Sequence, residues 1–340
     1  MKELISTISL LYSIPVCRIV SLKEEKVFTV ITKTERFVLK LLPYPAMETA
    51  FITDTMVYLS NSGFHDFNEI IFTAEGKPTG KFQDRFTLLT KELKGRVPSY
   101  KKREDVTAVS MYLASLHHAA NHFFPIHSYP DRIKWGKMIE TMNTGKNDLI
   151  QLKNEISSVA GKKSDFDTAF LTHCDTAIQE IETAIFGLKP FYSDLCNDAR
   201  KKGGFCHHDP AHHNFLIDDH GIVTGFDFDY AIADIPAHDV AALLLKILKT
   251  NHWHPAAAKC CLSAYSSQAY LSENNLKYIY YLLVYPYDFH HAAYARYREH
   301  NFSRRIEKKL FRLIAEREKR KSALAELRPY LLEISESEVP

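Results

Sequence analysis

The first third of the chain has the alternation of apolar and polar residues that is typical of half-buried strands. Residues 26–32 and 36–42 are β-prone runs joined by a short polar turn, which predicts a hairpin. The segment 47–60 has helical spacing, and further strands are predicted at 69–72 and 86–89. The chain therefore begins with a small, strand-rich region.

After Gly95 the spacing of apolar residues becomes helical. Helices are predicted at residues 105–120, 133–160, 166–188, 240–248, 256–268, 273–283 and 303–327. A short hairpin at 206–229 interrupts this series. We therefore predict an α+β protein with a β-rich N-terminal lobe of residues 1–95. The larger, mainly helical lobe of residues 96–340 contains the hairpin.

Composition places the chain among ordinary globular proteins. Its 340 residues are enough for two lobes, 46% are hydrophobic, and the net charge is +2. This charge argues against a nucleic-acid binder, and no apolar run is long enough to span a membrane. The six scattered cysteines indicate synthesis in a reducing compartment. Because Glu3 sits early and no cleavage site is convincing, the apolar N-terminus is predicted to be an amphipathic helix with Leu4 and Ile8 on one side.

The clearest chemistry lies in the segment CHHDPAHHNFLIDDHGIVTGFDFD, at residues 206–229. Asp209 and Asn214 have the spacing of the H-x-D-x-x-x-x-N catalytic loop of kinases. In that loop the aspartate accepts the proton of a substrate hydroxyl, and the asparagine holds a magnesium ion on ATP phosphates. We predict a bilobal protein-kinase-like fold in which Asp209 is catalytic and Asn214 and Asp227 bind Mg²⁺.

The turn of the hairpin predicts how its strands pair. If the turn in Asp218–Gly221 centres between His220 and Gly221, then Asn214 and Asp227 face each other across the strands. Their Cα atoms would be about 4.5–5.5 Å apart. Two oxygen-bearing side chains at that separation suit a hard divalent cation.

Nucleotide binding needs further groups from the N-terminal region. Kinases bind the phosphates with a lysine on the third strand of the small lobe, and Lys40, on the second strand of the predicted hairpin, is the candidate. Its carboxylate partner on the following helix would be Glu48 or Asp54. The adenine is expected against the backbone that joins the lobes, at Glu92 and Leu93.

Four other residues have predicted roles outside this set. Asp229 is a candidate second metal ligand. Asp239 is predicted to cap the next helix and to accept hydrogen bonds from the catalytic-loop backbone. His117 and His118 are predicted to be polar core residues rather than catalysts.

Other interpretations remain open. Acids are common in loops without any function. A cluster of nitrogen and sulfur donors suits zinc, although adjacent histidines tend to point apart. The cluster consists of Cys206, His207, His208, His212 and His213. The loop expected to cover the phosphates, residues 21–26, has no glycine, which favours loose, weak or absent nucleotide binding.

The motifs HHDPAHHN and FDFD resemble the aminoglycoside phosphotransferase and choline kinase branch of the kinase-like fold. The segments LASLHHAA, FDTAFLTHCDTAIQEIETAIFGLKPFYSDL, PAHDVAALLLKILK and YYLLVYPYDFHHAAYARY together resemble CotS-type spore coat proteins of endospore-forming bacteria, over nearly the whole chain. The resemblance implies synthesis in the mother cell, incorporation into the spore coat and other coat proteins as partners. It also implies Asp209 as base, Asn214 and Asp227 as magnesium ligands, and Lys40 on the phosphates.

The chain departs from the phosphotransferase pattern at two positions. His208 and His213 stand where glycines are usual, and their imidazoles are expected to crowd the loop and to add positive charge at mildly acidic pH. Two hypotheses follow. The first is a spore coat kinase that transfers phosphate from ATP to a hydroxyl-bearing acceptor, and the second is an inactive scaffold or adaptor of the coat.

Overall fold

The computed structural model describes residues 1–23, 25–125 and 129–332, which form two compact units. Unit 1 comprises Met1–Ile133 and Lys202–Asp239, and unit 2 comprises Lys134–Lys201 and the chain from Val240 onward. Within the described ranges no helix is both long and apolar enough to cross a bilayer. The predicted division at residue 95 follows the change from strand to helix along the sequence, and it stays a prediction.

Unit 1 contains a five-stranded antiparallel sheet with the strand order β1-β2-β3-β5-β4. The strands are β1 (Arg18–Lys23), β2 (Val27–Ile31), β3 (Arg36–Leu42), β4 (Gly80–Phe82) and β5 (Arg85–Lys91). The predicted N-terminal hairpin is confirmed as β2 and β3. Alternation along β3 buries Phe37, Leu39 and Leu41 and places Lys40 on the other face.

The first helix packs on this sheet as its amphipathic pattern predicts. Helix α1 (Lys2–Tyr12) buries Leu4, Ile8 and Tyr12 in one hydrophobic cluster with residues of β2, β3 and β5. The Tyr12 hydroxyl donates to the Thr87 carbonyl at 3.0 Å, so the buried phenol is satisfied. The helix therefore covers one face of the sheet.

The predicted strand at 69–72 is wrong. Only Ile70 forms a bridge, with Thr90, because β4 already pairs with the neighbouring part of that edge of β5. Strands β1 and β4 were not predicted. β1 buries little beyond Ile19, and β4 has three residues, so neither has a clear alternating pattern.

Unit 1 also contains the central hairpin, which consists of strands β6 (Phe215–Ile217) and β7 (Val223–Gly225). Two helices, α2 (Ala46–Asn61) and α3 (Arg103–Ala120), belong to the same unit. The predicted helices at 47–60 and 105–120 are thus confirmed. The backbones of Arg96 and Ile217 exchange two hydrogen bonds, and the Arg96 guanidinium makes a bidentate ion pair with the buried Asp105 of α3. The hairpin is thereby joined to the segment between β5 and α3.

The predicted pairing of the hairpin is wrong by one residue. Phe215 pairs with Gly225, so Asn214 lies opposite Phe226 and not opposite Asp227. The Phe226 amide donates to the Asn214 carbonyl at 3.0 Å. Asp227 then leaves the strand with a left-handed φ of +69°.

The turn explains this difference. The Asp218 carboxylate accepts from the amides of His220 and Ile222, and the Asp218 amide donates to the Ile222 carbonyl. Gly221 takes a φ of +83°, which glycine adopts at little cost. The loop therefore spans 219–221, and hairpins with such three-residue loops shift the pairing relative to a two-residue turn.

The described part of unit 2 is helical. Its helices are α4 (Met138–Ser158), α5 (Asp165–Leu188), α6 (Tyr192–Lys202), α7 (Ala237–Thr250), α8 (Pro255–Ser266), α9 (Glu273–Val284), α10 (Tyr287–Tyr297), α11 (Arg304–Ala315) and α12 (Arg317–Leu332), of which α7 begins and α6 ends in unit 1. Helix α5 begins with a capping box between Ser164 and Asp167. Helices α6 and α10 were not predicted as separate elements.

The single helix predicted at 303–327 is wrong, because Glu316 divides it into α11 and α12. The residues at the break make distant contacts: the Trp253 indole donates to Glu316 at 3.2 Å, and Arg317 pairs with Glu180 at 3.1 Å. Contacts between residues so far apart in sequence leave no mark on local periodicity.

The close packing of Gly225 against Tyr112 can be tested by the substitution Gly225→Ala, which adds one methyl group. A Cβ there would lie 2.2 Å from the Tyr112 hydroxyl, so we expect Gly225→Ala to lower the free energy of unfolding by about 1–3 kcal/mol. Urea denaturation measures the change, with Thr224→Ala on the same strand as the control. Adding Tyr112→Phe should recover part of the loss. An unchanged urea midpoint in Gly225→Ala would contradict the packing described here.

Candidate active site

A cavity of about 610 Å³ in unit 1 brings together most of the predicted site residues. Lys40 of β3, Asp209 before β6 and Asp227 after β7 all line it. Glu92 and Leu93, which follow β5, line the same cavity. Sites for small molecules have volumes of about 300–1,000 Å³, so this cavity has the size of a small-molecule site.

Lys40 lies between two carboxylates. Its Nζ is 2.5 Å from Asp227 Oδ1 and 2.9 Å from Asp229 Oδ1. Because Asp227 has left-handed backbone angles and Phe228–Tyr230 forms a 3₁₀ turn, two aspartates two positions apart both reach the ammonium group. Sequence analysis treated Asp229 as a metal ligand but did not predict either ion pair.

The two predicted helix partners of Lys40 have other contacts. Glu48 accepts from the Arg132 guanidinium at 2.8 Å, and Asp54 accepts from the Tyr129 hydroxyl at 2.7 Å. The expectation that one of them pairs with Lys40 is therefore wrong. The two carboxylates that follow β7, Asp227 and Asp229, form the ion pairs with the Lys40 ammonium group instead.

The charges of Lys40, Asp227 and Asp229 depend on one another. Burial opposes ionisation of Asp227, but Lys40 holds the pKa of its carboxyl below the usual range. Burial raises the pKa of Asp229 against the attraction of Lys40, and repulsion by Asp227 adds to the rise. Burial also disfavours the Lys40 cation, but the two carboxylates raise its pKa above the ordinary value. With two carboxylates and one ammonium group, a further cation is favourable here.

Asn214 orients the predicted base. Its Nδ2 donates to the carbonyl and to Oδ2 of Asp209, at 2.9 Å each, and its side chain is buried. The 3₁₀ turn His212–Asn214 positions this amide, and the Asn214 N–H donates to the Ala211 carbonyl. The Asp209 carboxylate is therefore fixed at the cavity wall.

His207 also contacts the loop that carries Asp209. Its Nε2 lies 2.9 Å from the Phe226 carbonyl, and its Nδ1 is 3.4 Å from the Asp209 amide. A carbonyl can only accept and an amide can only donate, so the neutral Nε2–H tautomer satisfies both contacts. The imidazole thus links the loop that carries Asp209 to the strand that leads to Asp227.

Asp239 is the buried acceptor of the loop that carries Asp209, as predicted, but it is the third residue of α7 and not its N-cap, so the predicted capping role is wrong. Its carboxylate accepts from the amides of His207 and His208, at 2.7 and 2.8 Å, and lies 3.1 Å from His117 Nε2. Burial raises its pKa, but the hydrogen bond and charge of His117 outweigh burial and set the pKa at about 2. His117 is a buried polar residue, as predicted, whereas His118 is exposed, so its predicted core role is wrong.

His208 has left-handed backbone angles, which glycine adopts more readily than histidine. Its φ is +67°, in a region that costs a non-glycine residue about 1–2 kcal/mol. Burial, and then the neighbouring His238, lower the pKa of His208 to about 4. The expected positive charge at mildly acidic pH is therefore wrong for His208. Its ring is packed 4.7 Å from the His238 ring instead of facing solvent.

The donors of the proposed zinc cluster are not brought together. Among the described residues, the one trio of potential metal-ligand atoms is His117, Cys206 and Asp239, which includes none of the four clustered histidines. Burial raises the pKa of the Cys206 thiol well above its ordinary value, and Sγ lies 3.3 Å from the Ile235 carbonyl. A protonated thiol is a poor zinc ligand.

Two lysines, and no glycine, reach the cavity from the junction of β1 and β2. Lys23 and Lys26 line the cavity, and the Lys26 amide donates to the Lys23 carbonyl at 2.8 Å. Glu24, which belongs to the same junction, lies outside the described residues. His213, the second histidine at a glycine position, also lines the cavity and is exposed.

The donor set fits a magnesium ion. Asp227 and Asp229 line the cavity and offer hard oxygen ligands, which Mg²⁺ prefers over nitrogen or sulfur. Both carboxylates contact Lys40 Nζ, at 2.5 and 2.9 Å, so both lie close to one point. Asn214 is buried and is not among the described residues that line the cavity, and since its Nδ2 donates to Asp209, it would offer a cation only its Oδ1. Lys40 supplies one positive charge against the two carboxylates, so these residues favour a divalent cation.

Arg132 is a further residue near the site that was not predicted from the sequence. This arginine is 6% exposed, and it donates to Glu48 of α2 and to the carbonyls of Asp229 and Ala231. It lies outside every predicted motif, and its partners are distant in sequence. Its local sequence, YPDRIKW at residues 129–135, is a mixture of charged and aromatic residues that is too common to be informative.

The comparisons with known proteins agree with this geometry. A family model described as "Spore coat putative kinase YutH" matches residues 6–327 of the chain. The chain resembles the solved aminoglycoside phosphotransferase from Alicyclobacillus acidocaldarius subsp. acidocaldarius, with a TM-score of 0.83, 20% sequence identity and coverage of 96% of both chains.

Two further solved structures are similar over nearly the whole chain. One is spectinomycin phosphotransferase APH(9)-Ia with AMP, with a TM-score of 0.71, 14% identity and coverage of 95% of this chain and 98% of that chain. The other is amicoumacin kinase hAmiN with AMP-PNP, Ca²⁺ and Ami, with a TM-score of 0.63, 15% identity and coverage of 96% and 93%. These likenesses confirm the predicted protein-kinase-like fold.

Asp239 is predicted to make stability depend on acid pH. Its pKa of about 2 is below the ordinary unfolded value of about 4, so its contribution is present above pH 4 and is lost as pH falls toward 2. We expect Asp239→Asn to lose about 2–3 kcal/mol of unfolding free energy at pH 7, and the difference from the wild type to shrink as the pH falls from about 4 toward 2. Urea denaturation at about pH 7 and about pH 2 measures this, with the exposed Asp219→Asn as the control. A variant as stable as the wild type at pH 7 would refute the role given to this carboxylate.

Proposed function

The chain belongs to the family described as "Spore coat putative kinase YutH", and from this premise we propose that it is an ATP-dependent phosphotransferase of the spore coat. The observation that carries the proposal is the convergence of Lys40, Asp209 and Asp227 on one cavity of small-molecule size. A vestigial cleft would have no need to retain an oriented base, a phosphate-binding cation and paired carboxylates together.

In the proposed reaction, ATP gives its γ-phosphoryl group to a hydroxyl of the acceptor. Asp209 accepts the hydroxyl proton while the acceptor oxygen bonds to the γ-phosphorus, and the bond from that phosphorus to the bridging oxygen breaks to release ADP. Asn214 holds the Asp209 carboxylate in place, and Lys40 neutralises phosphate charge. When bound, Mg²⁺ would stabilise charge on the phosphates, held by Asn214, Asp227 and Asp229.

The adenine is proposed to lie against the backbone after β5. The Glu92 amide donates to the Arg36 carbonyl at 3.2 Å, and its carboxylate pairs with the Arg36 guanidinium. The groups left for the base edge are therefore the Glu92 carbonyl and the Leu93 amide. The nucleotides in the two solved relatives, AMP and AMP-PNP, support a nucleotide as the ligand.

The biological setting is proposed from the family. A spore coat protein of this kind would be made in the mother cell and would then join the coat, where other coat proteins are its partners. The phosphotransferases that it resembles favour a small acceptor that bears a hydroxyl group.

The first test measures ATP binding by calorimetry, with and without Mg²⁺. We expect magnesium to strengthen ATP binding by the wild type, and Asp227→Asn to lose at least tenfold of that gain because a ligand of the cation is removed. Asp209→Asn should bind ATP normally, since the base acts on the acceptor. Asp219→Asn, in the exposed turn of the same hairpin, is the control. Negligible binding by wild type and Asp227→Asn alike would sink the proposal.

The second test separates catalysis from scaffolding in spores. A deletion strain is complemented with the wild type, Asp209→Asn or Asp219→Asn, and the coat is assayed by protein extraction and by resistance of the spores to lysozyme. We expect Asp209→Asn protein to reach the coat while the spores keep the defect of the deletion strain, because removal of a catalytic base lowers rates about 10²–10⁴-fold. Normal spores with Asp209→Asn would favour the scaffold instead.

A further inference from the structure

Helix α2 is joined to the catalytic centre by an unexpected residue. In kinases a helix carboxylate pairs with the phosphate-binding lysine and so fixes the helix at the active site. Here Lys40 pairs with Asp227 and Asp229, and Glu48 of α2 pairs with Arg132, whose Nε and Nη2 lie 3.1 and 2.8 Å from Glu48 Oε2. The polar link from this glutamate to the loop after β7 therefore passes through the arginine.

The Nη1 group of Arg132 binds the loop that carries the two carboxylates proposed to hold Mg²⁺. This nitrogen donates to the Asp229 carbonyl at 2.6 Å and to the Ala231 carbonyl at 3.3 Å. The Arg132 carbonyl accepts from the Ala233 amide at 2.8 Å, so the loop is held from both the side chain and the backbone of one residue. Because these bonds hold the backbone of Asp229, they also restrict where its side-chain carboxylate can lie.

The guanidinium group is suited to this task. It is 6% exposed, and its planar set of donors serves one carboxylate and two carbonyls at once. The ring of Tyr44, which lines the cavity, lies 5.2 Å from the guanidinium carbon and restricts it further. A lysine has a single ammonium group and cannot replace this planar arrangement.

We propose that Arg132 is a positioning residue, which sets the Asp229 carboxylate relative to helix α2 in place of a direct contact between Lys40 and Glu48. Arg132 touches neither the nucleotide nor the acceptor in this scheme, and it acts through Asp229. The inference rests on the proposed function, because it assigns Asp229 to the cation that accompanies ATP.

Unit 2 offers a matched control. The guanidinium of Arg320 also serves one carboxylate and two carbonyls, those of Glu180, Leu283 and Val284. Its side chain is also mostly buried. Arg320→Lys therefore removes a similar set of hydrogen bonds from a place that does not line the cavity.

The experiment compares Arg132→Lys, Glu48→Gln and Arg320→Lys in the full chain. The first readout is amide hydrogen exchange of the segment 226–233, which needs no nucleotide. The second is the Mg²⁺ concentration that gives half-maximal strengthening of ATP binding. We expect Arg132→Lys to speed exchange in this segment and to raise the required Mg²⁺ concentration about tenfold or more.

The other two variants make the expectation specific. Glu48→Gln keeps the bonds from Arg132 to the carbonyls, so it should change both readouts in the same direction by a smaller factor, and it serves if Arg132→Lys does not fold. Arg320→Lys should lower the urea midpoint but leave both readouts unchanged.

Two results would overturn the inference. One is equal exchange of segment 226–233 in Arg132→Lys and Arg320→Lys. The other is faster exchange with an unchanged Mg²⁺ requirement, since that would make Arg132 merely structural. If the wild type bound no ATP in the presence of Mg²⁺, the proposed function would fail, and positioning for catalysis would fail with it. The exchange data would still show separately whether Arg132 holds the loop.

Discussion

The loop that carries Asp209 is held by one buried carboxylate. Asp239 accepts two backbone amides of the loop and pairs with His117 of α3, and it is fully buried. A buried anion is tolerated only when hydrogen bonds and a nearby positive or polar group offset its lost hydration. Three donors converge on this one, so the loop cannot move away without leaving a charge unsatisfied. The left-handed backbone of His208, which is costly by itself, persists because its amide is one of these donors.

Around this anchor the site uses short connections between elements that are distant in sequence. His207 joins the loop to Phe226, Asn214 orients Asp209, and Lys40 joins β3 to the turn after β7. Each connection satisfies a polar group that burial would otherwise penalise. The same contacts that stabilise unit 1 therefore arrange the groups proposed for phosphoryl transfer.

The sequence predicted a considerable part of this arrangement, for identifiable reasons. The strands β2, β3 and β5 and most helices have regular apolar periodicity, and their predictions are confirmed. The motif spacing identified Asp209, Asn214 and Asp227 as candidate site residues, because the catalytic loop of kinases has its functional groups at fixed, short spacings. The errors arose where a decision was not local. The pairing of β6 with β7 was set by the Asp218 carboxylate, and the segment 69–72 failed as a strand because β4 occupies the adjacent edge of β5.

The sequence by itself determined the fold class, the family and the identity of the candidate catalytic residues, because periodicity and motif spacing are properties of neighbouring positions. Only the tertiary structure decided the partners of those residues. In the folded chain Lys40 pairs with Asp227 and Asp229, and Glu48 pairs with Arg132. Burial lowers the pKa of His208 to about 4, which favours its neutral imidazole. Ion pairing and pKa depend on distances and on loss of solvent, and both are set by residues that are distant in sequence: Lys40 is 187 and 189 positions from its two partners, and Glu48 is 84 positions from Arg132.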